Sequence, residues 1–340
     1  MIYQSKAPLR IGLAGGGTDV SPYSDLYGGV ILNATISLYA SATIETTDDN
    51  KITLHAVDRG DELQFEWDNA LPIDGKNDLL KGVYNRVQKD YNMEVKGFKL
   101  STFVDAPAGS GLGTSSTLVV AILGAFAEML KLNLSNYELA HYAFDIERND
   151  LQLAGGRQDQ YAATFGGINF MEFSANDKVI VNPLRINPEY LNELEQNLLL
   201  YYTSTSRESA ELIKRQSRNI TDKKEISINA MHQLKFQAEK MKAALLKGKL
   251  DEIGEILDFG FQQKRMLAEG ISNSLMDEIY ETARKAGASG GKISGAGGGG
   301  FMIFYCPKNT KDKVIQSLEK FGGHHKNYQF VDHGLKSWTV

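Results

Sequence analysis

Asp105-Ala-Pro-Ala-Gly-Ser-Gly-Leu-Gly-Thr-Ser-Ser-Thr117 lies between two segments of opposite character. Before it, residues 98–104 alternate apolar and polar, which predicts a strand. After it, residues 118–130 are an apolar run of good helix formers. The pattern is strand, glycine-rich loop, helix. Gly109, Gly111 and Gly113 allow sharp turns and close approach of backbone to a ligand. Thr114, Ser115 and Ser116 bring hydroxyls to the first helical turn. Unpaired N–H groups and the helix dipole attract an anion there. A polyphosphate is the simplest such ligand, with a Ser or Thr oxygen left for a magnesium ion. A loop of this composition can also do no more than cap a core helix. Three glycines, three hydroxyls and the strand-to-helix context together favour phosphate. No Gly-Lys-Ser/Thr closes the loop, so it is not a Walker sequence. The third glycine falls at the wrong spacing for a dinucleotide fingerprint.

The 340 residues suffice for two domains and a sizeable core. Hydrophobic content is 42% and the net charge is -5, with no basic stripe, which points away from nucleic acid. The single cysteine, Cys306, excludes an internal disulfide and a cysteine metal cluster and fits a reducing compartment. No apolar run approaches membrane-spanning length, and Met-Ile-Tyr-Gln-Ser-Lys-Ala-Pro carries no signal-peptide core. The expectation is a cytoplasmic protein without a membrane partner.

Residues 2–14 predict a strand that enters the turn Ala14-Gly-Gly-Gly-Thr-Asp19. Three consecutive glycines suggest backbone close to a substrate, although a plain tight turn would use the same residues. Residues 30–44, 51–55 and 62–67 predict further strands. An amphipathic helix over 77–89 has Asn77 as a possible cap. Ser135-Asn-Tyr-Glu138 is a capping box opening a helix to about Asn149, near whose end sit Glu147 and Arg148. Arg157 and Asp159 follow in a glycine-rich connection, where an acid is more often a turn or cap residue than a base. Residues 168–172 and 179–181 predict a hairpin that closes a first lobe, 1–186.

A second lobe, 187–340, follows. It has a buried strand at 198–203, a helix starting in 204–209, and a long helix to Lys247 opened by a capping box, Asp222-Lys-Lys-Glu225. Helices near 250–268 and 274–286 and a final helix over 310–321 complete it. Gly295-Ala-Gly-Gly-Gly-Gly300 is followed by a strand rather than a helix, so it is not a dinucleotide site, and a glycine hairpin is the plain reading. His324, His325 and His333 match no metal motif and read as surface residues.

Three glycine-rich segments stand in the order of the three signatures of the GHMP small-molecule kinases, which Ala7-Pro-Leu-Arg-Ile-Gly-Leu-Ala-Gly-Gly-Gly-Thr-Asp19, Pro107-Ala-Gly-Ser-Gly-Leu-Gly-Thr-Ser-Ser116 and Lys292-Ile-Ser-Gly-Ala-Gly-Gly-Gly-Gly-Phe301 resemble. The resemblance implies an α+β fold of two lobes, the first like ribosomal S5 domain 2 and the second ferredoxin-like. It implies an ATP- and Mg2+-dependent kinase acting on a small-molecule sugar or sugar phosphate, and it leaves a homodimer open.

By the same resemblance Asp159 matches the catalytic acid and Arg10 the basic residue beside it. Pro107, Ala108, Gly109, Ser110, Gly111, Leu112, Gly113, Thr114, Ser115 and Ser116 form the nucleotide loop. Ser115 and Glu147 match magnesium ligands. Gly16, Gly17, Thr18, Asp19, Arg157 and Gly297 fall in the acceptor region, with Asp19 matching a sugar-hydroxyl ligand. The Glu-His pair of galactokinases is replaced by Gly16-Gly17, which implies room for a bulkier sugar. The motif-one Lys of mevalonate kinases has no counterpart, which disfavours mevalonate and an isoprenoid decarboxylation.

Within the superfamily, motif one and Gly156-Arg-Gln-Asp-Gln-Tyr-Ala-Ala163 most resemble the D-glycero-D-manno-heptose 7-phosphate kinases, with fucokinases next. A distal phosphate on the acceptor calls for a cation. Arg157, Arg207 and Lys292 are candidates, each as readily a solvated surface residue. A nucleotide-binding regulatory relic is the non-enzymatic alternative.

Overall fold

The computed structural model describes residues 1–205 and 209–340. β1 (Ile2–Ala14) and β2 (Gly29–Thr47) pair antiparallel, with the short α1 (Tyr23–Tyr27) between them. β3 (Lys51–Ala56) and β4 (Asp61–Glu66) form a hairpin. α2 (Asp78–Tyr91) is the crossover that lets β5 (Gly97–Val104) run parallel to β3. α3 (Thr114–Leu130), α4 (Asn136–Asp145) and α5 (Gln158–Phe165) follow, then the hairpin β6 (Ile168–Phe173) and β7 (Val179–Pro183). This first sheet runs β1-β2-β5-β3-β4, with β6 also on β2 and β7 on β6.

The second layer begins with α6 (Pro188–Asn197) and β8 (Leu198–Tyr202), followed by α7 (Ser209–Thr221), α8 (Glu225–Lys247), α9 (Ile253–Arg265) and α10 (Ser274–Ala286). β9 (Gly290–Ile293), β10 (Phe301–Tyr305), α11 (Lys311–Leu318) and β11 (His324–His325) complete an antiparallel sheet of order β11-β8-β10-β9. The last strand, β12 (Lys336–Thr339), leaves this layer and pairs antiparallel with β1 on the first sheet. Among the described residues no helix is long and apolar enough to cross a membrane.

α3 explains the centre of the molecule. Val119, Val120, Ala121, Ile122, Leu123 and Ala125 are all fully buried, so the helix is apolar all round. It packs on β1 and β2 on one side and against α2, α4 and α5 on the other. Each such Val, Ile or Leu contributes about 1.5–3 kcal/mol on burial. That burial fixes the helix start, which carries the glycine loop.

The capping box at Ser135 forms as its sequence requires, Ser135 Oγ accepting from Glu138 N while Ser135 N donates to Glu138. Two other expected caps do not form. Asn77 occupies the cap position of α2 with φ 53°, but its side chain accepts from Arg59, while Asp78 takes the N–H groups of Asp74 and Gly75. Before α8, Lys223 at φ 53° turns the chain, so the helix starts at Glu225 behind Lys224, and Asp222 stays outside it. The expected helix start at 204–209 lies partly outside the described residues, and α7 runs from Ser209. His324 and His325 are exposed.

Candidate active site

β1 delivers Arg10, α5 delivers Asp159, and the loop before α3 meets both. Arg10 Nε donates to Asp159 Oδ1 at 2.7 Å and Nη2 to Oδ2 at 2.9 Å, a bidentate pair. The third donor, Nη1, reaches Gly111 O at 2.5 Å, and Arg10 N donates to Leu112 O at 3.1 Å. One arginine therefore ties the acid to the loop. A Cβ added at Gly113 would stand 3.1 Å from Asp159 Cγ and press on the acid, and the positive φ of 79° there is one that glycine adopts without strain.

Gly109, Gly111 and Gly113 all have positive φ, and the N-cap of α3 is Gly113, with no side chain capping the helix start. An uncapped helix start next to a glycine loop is a ready anion site. The Ser110 hydroxyl is buried without a partner among the described residues. The loop is braced from the second layer. Phe301 N donates to Ser110 O at 2.9 Å and Ser294 Oγ to Gly111 O at 2.8 Å. A Cβ on Gly111 would lie 2.5 Å from Ser294 O, and one on Gly300 2.3 Å from Ser110 O. The glycine hairpin before β10 is thus packed backbone to backbone on the loop before α3.

α4 does not continue as an α-helix to Asn149. It ends at Asp145 and passes into a π-helical turn, Ile146–Asp150, a distortion often found at functional sites. The turn buries Glu147 to 1% exposure. Gln160 Nε2 donates to Glu147 Oε2 at 2.5 Å and to Ser116 Oγ at 3.1 Å, and Arg148 Nη1 lies 3.5 Å from Glu147 Oε1. A buried carboxylate that lines the same cavity as serine hydroxyls is an oxygen donor set that suits magnesium, which takes one or two carboxylates and completes its shell with phosphate and water. Among the described residues no group of three or more His, Cys, Asp or Glu could hold a metal by itself.

These groups line one cavity of about 740 Å³. Of the residues singled out in the sequence, Arg10, Gly17, Asp19, Ala108, Gly109, Gly111, Gly113, Thr114, Ser115, Ser116, Glu147 and Asp159 line it. Others do not. Pro107 is exposed, and Ser110 and Leu112 are buried behind the loop. Thr18 is fully buried, its hydroxyl oxygen 2.8 Å from both Gly15 O and Val30 O, so that its one O–H pins the turn to either. Gly297 packs against Ile271.

Asp19 is 2% exposed, and its Oδ2 accepts from Arg157 N at 2.9 Å and Gln158 N at 3.1 Å. It therefore caps the helix carrying Asp159. Burial raises its pKa, with Asp159 adding to the rise and the backbone donors opposing it.

The candidate cations for a distal phosphate fare differently from one another. Arg157 is committed to Asp25 at 2.8 Å, Asp177 at 2.9 Å and Ser174 O at 2.9 Å. It lines an adjoining cavity of about 470 Å³, together with Arg148 and Lys214. Lys292 is buried and donates to Gly12 O at 2.8 Å. Arg207 lies outside the described residues.

Lys264, from the last turn of α9, was not visible as a site residue in the sequence. It is 4% exposed, lines the main cavity and donates to Gly295 O at 2.6 Å. Burial lowers its pKa to about 8, while Asp19 and Asp159 oppose the fall and Arg10 adds to it. Lys292 is pushed well below its usual value by burial and by Lys264 and Arg10. Both side chains approach the glycine turn: a Cβ on Gly16 would lie 3.5 Å from Lys264 Nζ and 3.9 Å from Lys292 Nζ, while Gly17 lines the cavity.

Residues 78–167 match the GHMP kinases N terminal domain and residues 241–324 match GHMP kinases C terminal. The chain is 45% identical over 337 residues, 99% of each chain, to D-glycero-alpha-D-manno-heptose 7-phosphate kinase of Campylobacter jejuni. A crystal structure of a D-glycero-D-manno-heptose 1-phosphate kinase from Bacteriodes thetaiotaomicron superposes with a TM-score of 0.85 at 46% identity, covering 99% of both chains. The bifunctional fucokinase/GDP-fucose pyrophosphorylase of Arabidopsis thaliana is 28% identical over 330 residues, 92% of this chain and 31% of that longer protein.

Proposed function

The chain belongs to the GHMP kinases, and from that premise we propose that it transfers the terminal phosphoryl group of ATP to the anomeric hydroxyl of D-glycero-D-manno-heptose 7-phosphate, giving the 1,7-bisphosphate for nucleotide-activated heptose and surface polysaccharide. The observation that carries this reading is the Arg10–Asp159 pair held against Gly111 and Gly113 of the loop. It sets a carboxylate where an acceptor hydroxyl would meet a bound triphosphate. The likeness at 45% identity over nearly the full length supports the sugar.

In this reading the backbone N–H groups of residues 109–116 hold the β- and γ-phosphates. Ser115 and Glu147 would hold Mg2+, which neutralises charge on the transferring group when bound. Asp159 takes the proton of the acceptor hydroxyl, whose oxygen bonds to the γ-phosphorus as the bond to the β-phosphate oxygen breaks and ADP leaves. Arg10 keeps the carboxylate oriented. Asp19 accepts from a sugar hydroxyl. The distal phosphate enters the adjoining cavity, whose cations are Arg148, Arg157 and Lys214.

The two heptose kinases above differ in the phosphate that their names carry, at position 7 in one and position 1 in the other. That difference keeps a second reading, in which the sugar already bears phosphate at position 1. ADP release from Mg-ATP is the test, measured with heptose 7-phosphate, heptose 1-phosphate, unphosphorylated heptose, fucose and galactose at equal concentration. Heptose 7-phosphate is expected to give the highest kcat/KM. A preference for fucose or galactose would reject the heptose reading, and ADP release with no sugar of the panel would reject the kinase reading.

A further inference from the structure

Lys264 is a buried ammonium with more donors than partners. Its Nζ has three N–H groups, and among the described residues one is taken, by Gly295 O at 2.6 Å. No carboxylate lies within ion-pair distance of it among the described residues, yet it lines the cavity that also holds Arg10, Asp19 and Asp159. A buried charge left with spare donors costs stability unless something else meets them. Two acceptor groups share its surroundings. Asp19 is buried at the cavity wall, and Gln158, also a lining residue, has a buried Oε1 with no hydrogen-bond partner among the described residues. Donor and acceptors together suit a polyhydroxylated molecule, because each hydroxyl both gives and takes a hydrogen bond.

We propose that Lys264 is an acceptor-binding residue, its Nζ donating to a sugar hydroxyl oxygen whose own O–H donates to Asp19. The inference rests on the sugar-kinase reading and deepens it, for it assigns part of acceptor recognition to the second lobe. Gly16 is the complement of Lys264. A Cβ on residue 16 would stand in van der Waals contact with the ammonium, at 3.5 Å. The charged groups around Nζ are Arg10 of β1, Asp19 of the following turn, Asp159 of α5 and Lys292 of β9. With its pKa brought down to about 8 by burial, Lys264 is a donor at neutral pH and loses its charge just above it.

Lys264→Met keeps the length and removes the donors. Steady-state kinetics with Mg-ATP and D-glycero-D-manno-heptose 7-phosphate, from pH 6 to 9.5, read the result. The acceptor KM is expected to rise about 10- to 100-fold, the range for one charge-assisted hydrogen bond, with the ATP KM unchanged. The wild-type fall in acceptor kcat/KM above about pH 8 is expected to vanish in the variant. A residue that acts only by holding Gly295 would loosen the phosphate loop and raise the ATP KM instead. That outcome, or an unchanged acceptor KM, overturns the proposal. Lys264→Gln, which keeps one donating group, is expected to fall between the two, and acceptor affinity no better than that of Lys264→Met would also count against it. Inactivity of the wild type on this sugar overturns the function reading beneath it, while wild-type activity with an unaffected variant overturns this inference alone.

Discussion

Arg10 spends two donors on Asp159 and one on Gly111, so a single guanidinium sets the distance between acid and loop. Asp159→Asn keeps the shape and removes the carboxylate. Turnover is expected to fall about 10²–10⁴-fold while nucleotide affinity, read by calorimetry with a nonhydrolysable ATP analogue, stays within a few-fold. Near-normal turnover would remove Asp159 from the proton-transfer role. Lys264 has a second consequence, for stability. Its folded pKa, about 8, lies below the ordinary 10.5, so between those values the unfolded chain holds the extra proton and unfolding free energy rises with pH. The difference in stability between wild type and Lys264→Met, measured by denaturant titration, is expected to shift in favour of wild type from pH 8 to 10. A pH-independent difference would contradict the burial. Lys264 was not legible as a site residue by spacing, while Lys292, at the head of the third glycine segment, entered as a candidate cation for a distal phosphate. Lys264 ends a helix whose last turn also holds Arg265, a placement that any helix favours for its dipole. Asp159 and Arg10 were legible only through the resemblance of their segments to the kinase signatures, since an acid in a glycine-rich connection reads by itself as a turn or cap residue. Gln160 was not, because a glutamine in a first helical turn carries no distinctive signal.

The loop before α3 works as an element because a second glycine segment lies against it. Gly111 has φ +84°, and its missing Cβ leaves 2.5 Å to Ser294 O. Gly111→Ala must therefore strain the backbone and part the two segments. Nucleotide affinity is expected to drop tenfold or more, with a stability cost of about 1–3 kcal/mol. Unchanged affinity would show that the brace is dispensable. The strand-loop-helix unit could be read from residues 98–130 because alternation and helix formers flank the glycines. The hairpin at 295–300 could be read as a hairpin, but nothing local to it specifies the loop it packs on. The π-turn at Ile146–Asp150 was hidden as well, since an apolar periodicity that reads as one helix does not report a locally widened turn. Glu147→Gln tests what that turn is for. The Mg2+ concentration needed for half-maximal rate is expected to rise several-fold, and an unchanged requirement would place the metal elsewhere.

At the scale of the whole molecule, the site closes between two layers. β1 and the loop before α3 supply Arg10 and the glycines, and α9 and the hairpin before β10 supply Lys264 and the brace. Lys292 crosses between them to Gly12 O. The final strand ties the layers again, since β12 pairs with β1, and Leu335 just before it packs where a Cβ on Gly124 of α3 would lie 2.7 Å away. That return could not be read from the sequence, because four residues at the end of a chain carry too little pattern to name a partner strand. These two layers are expected to hold an anomeric hydroxyl against Asp159 and a triphosphate against residues 109–116. Phosphorus NMR of the product formed from heptose 7-phosphate and Mg-ATP tests this most directly. A new phosphate resonance coupled to the anomeric proton, with the 7-phosphate retained, is the expected result. A new phosphate at any other carbon, or no transfer to the sugar at all, would contradict it.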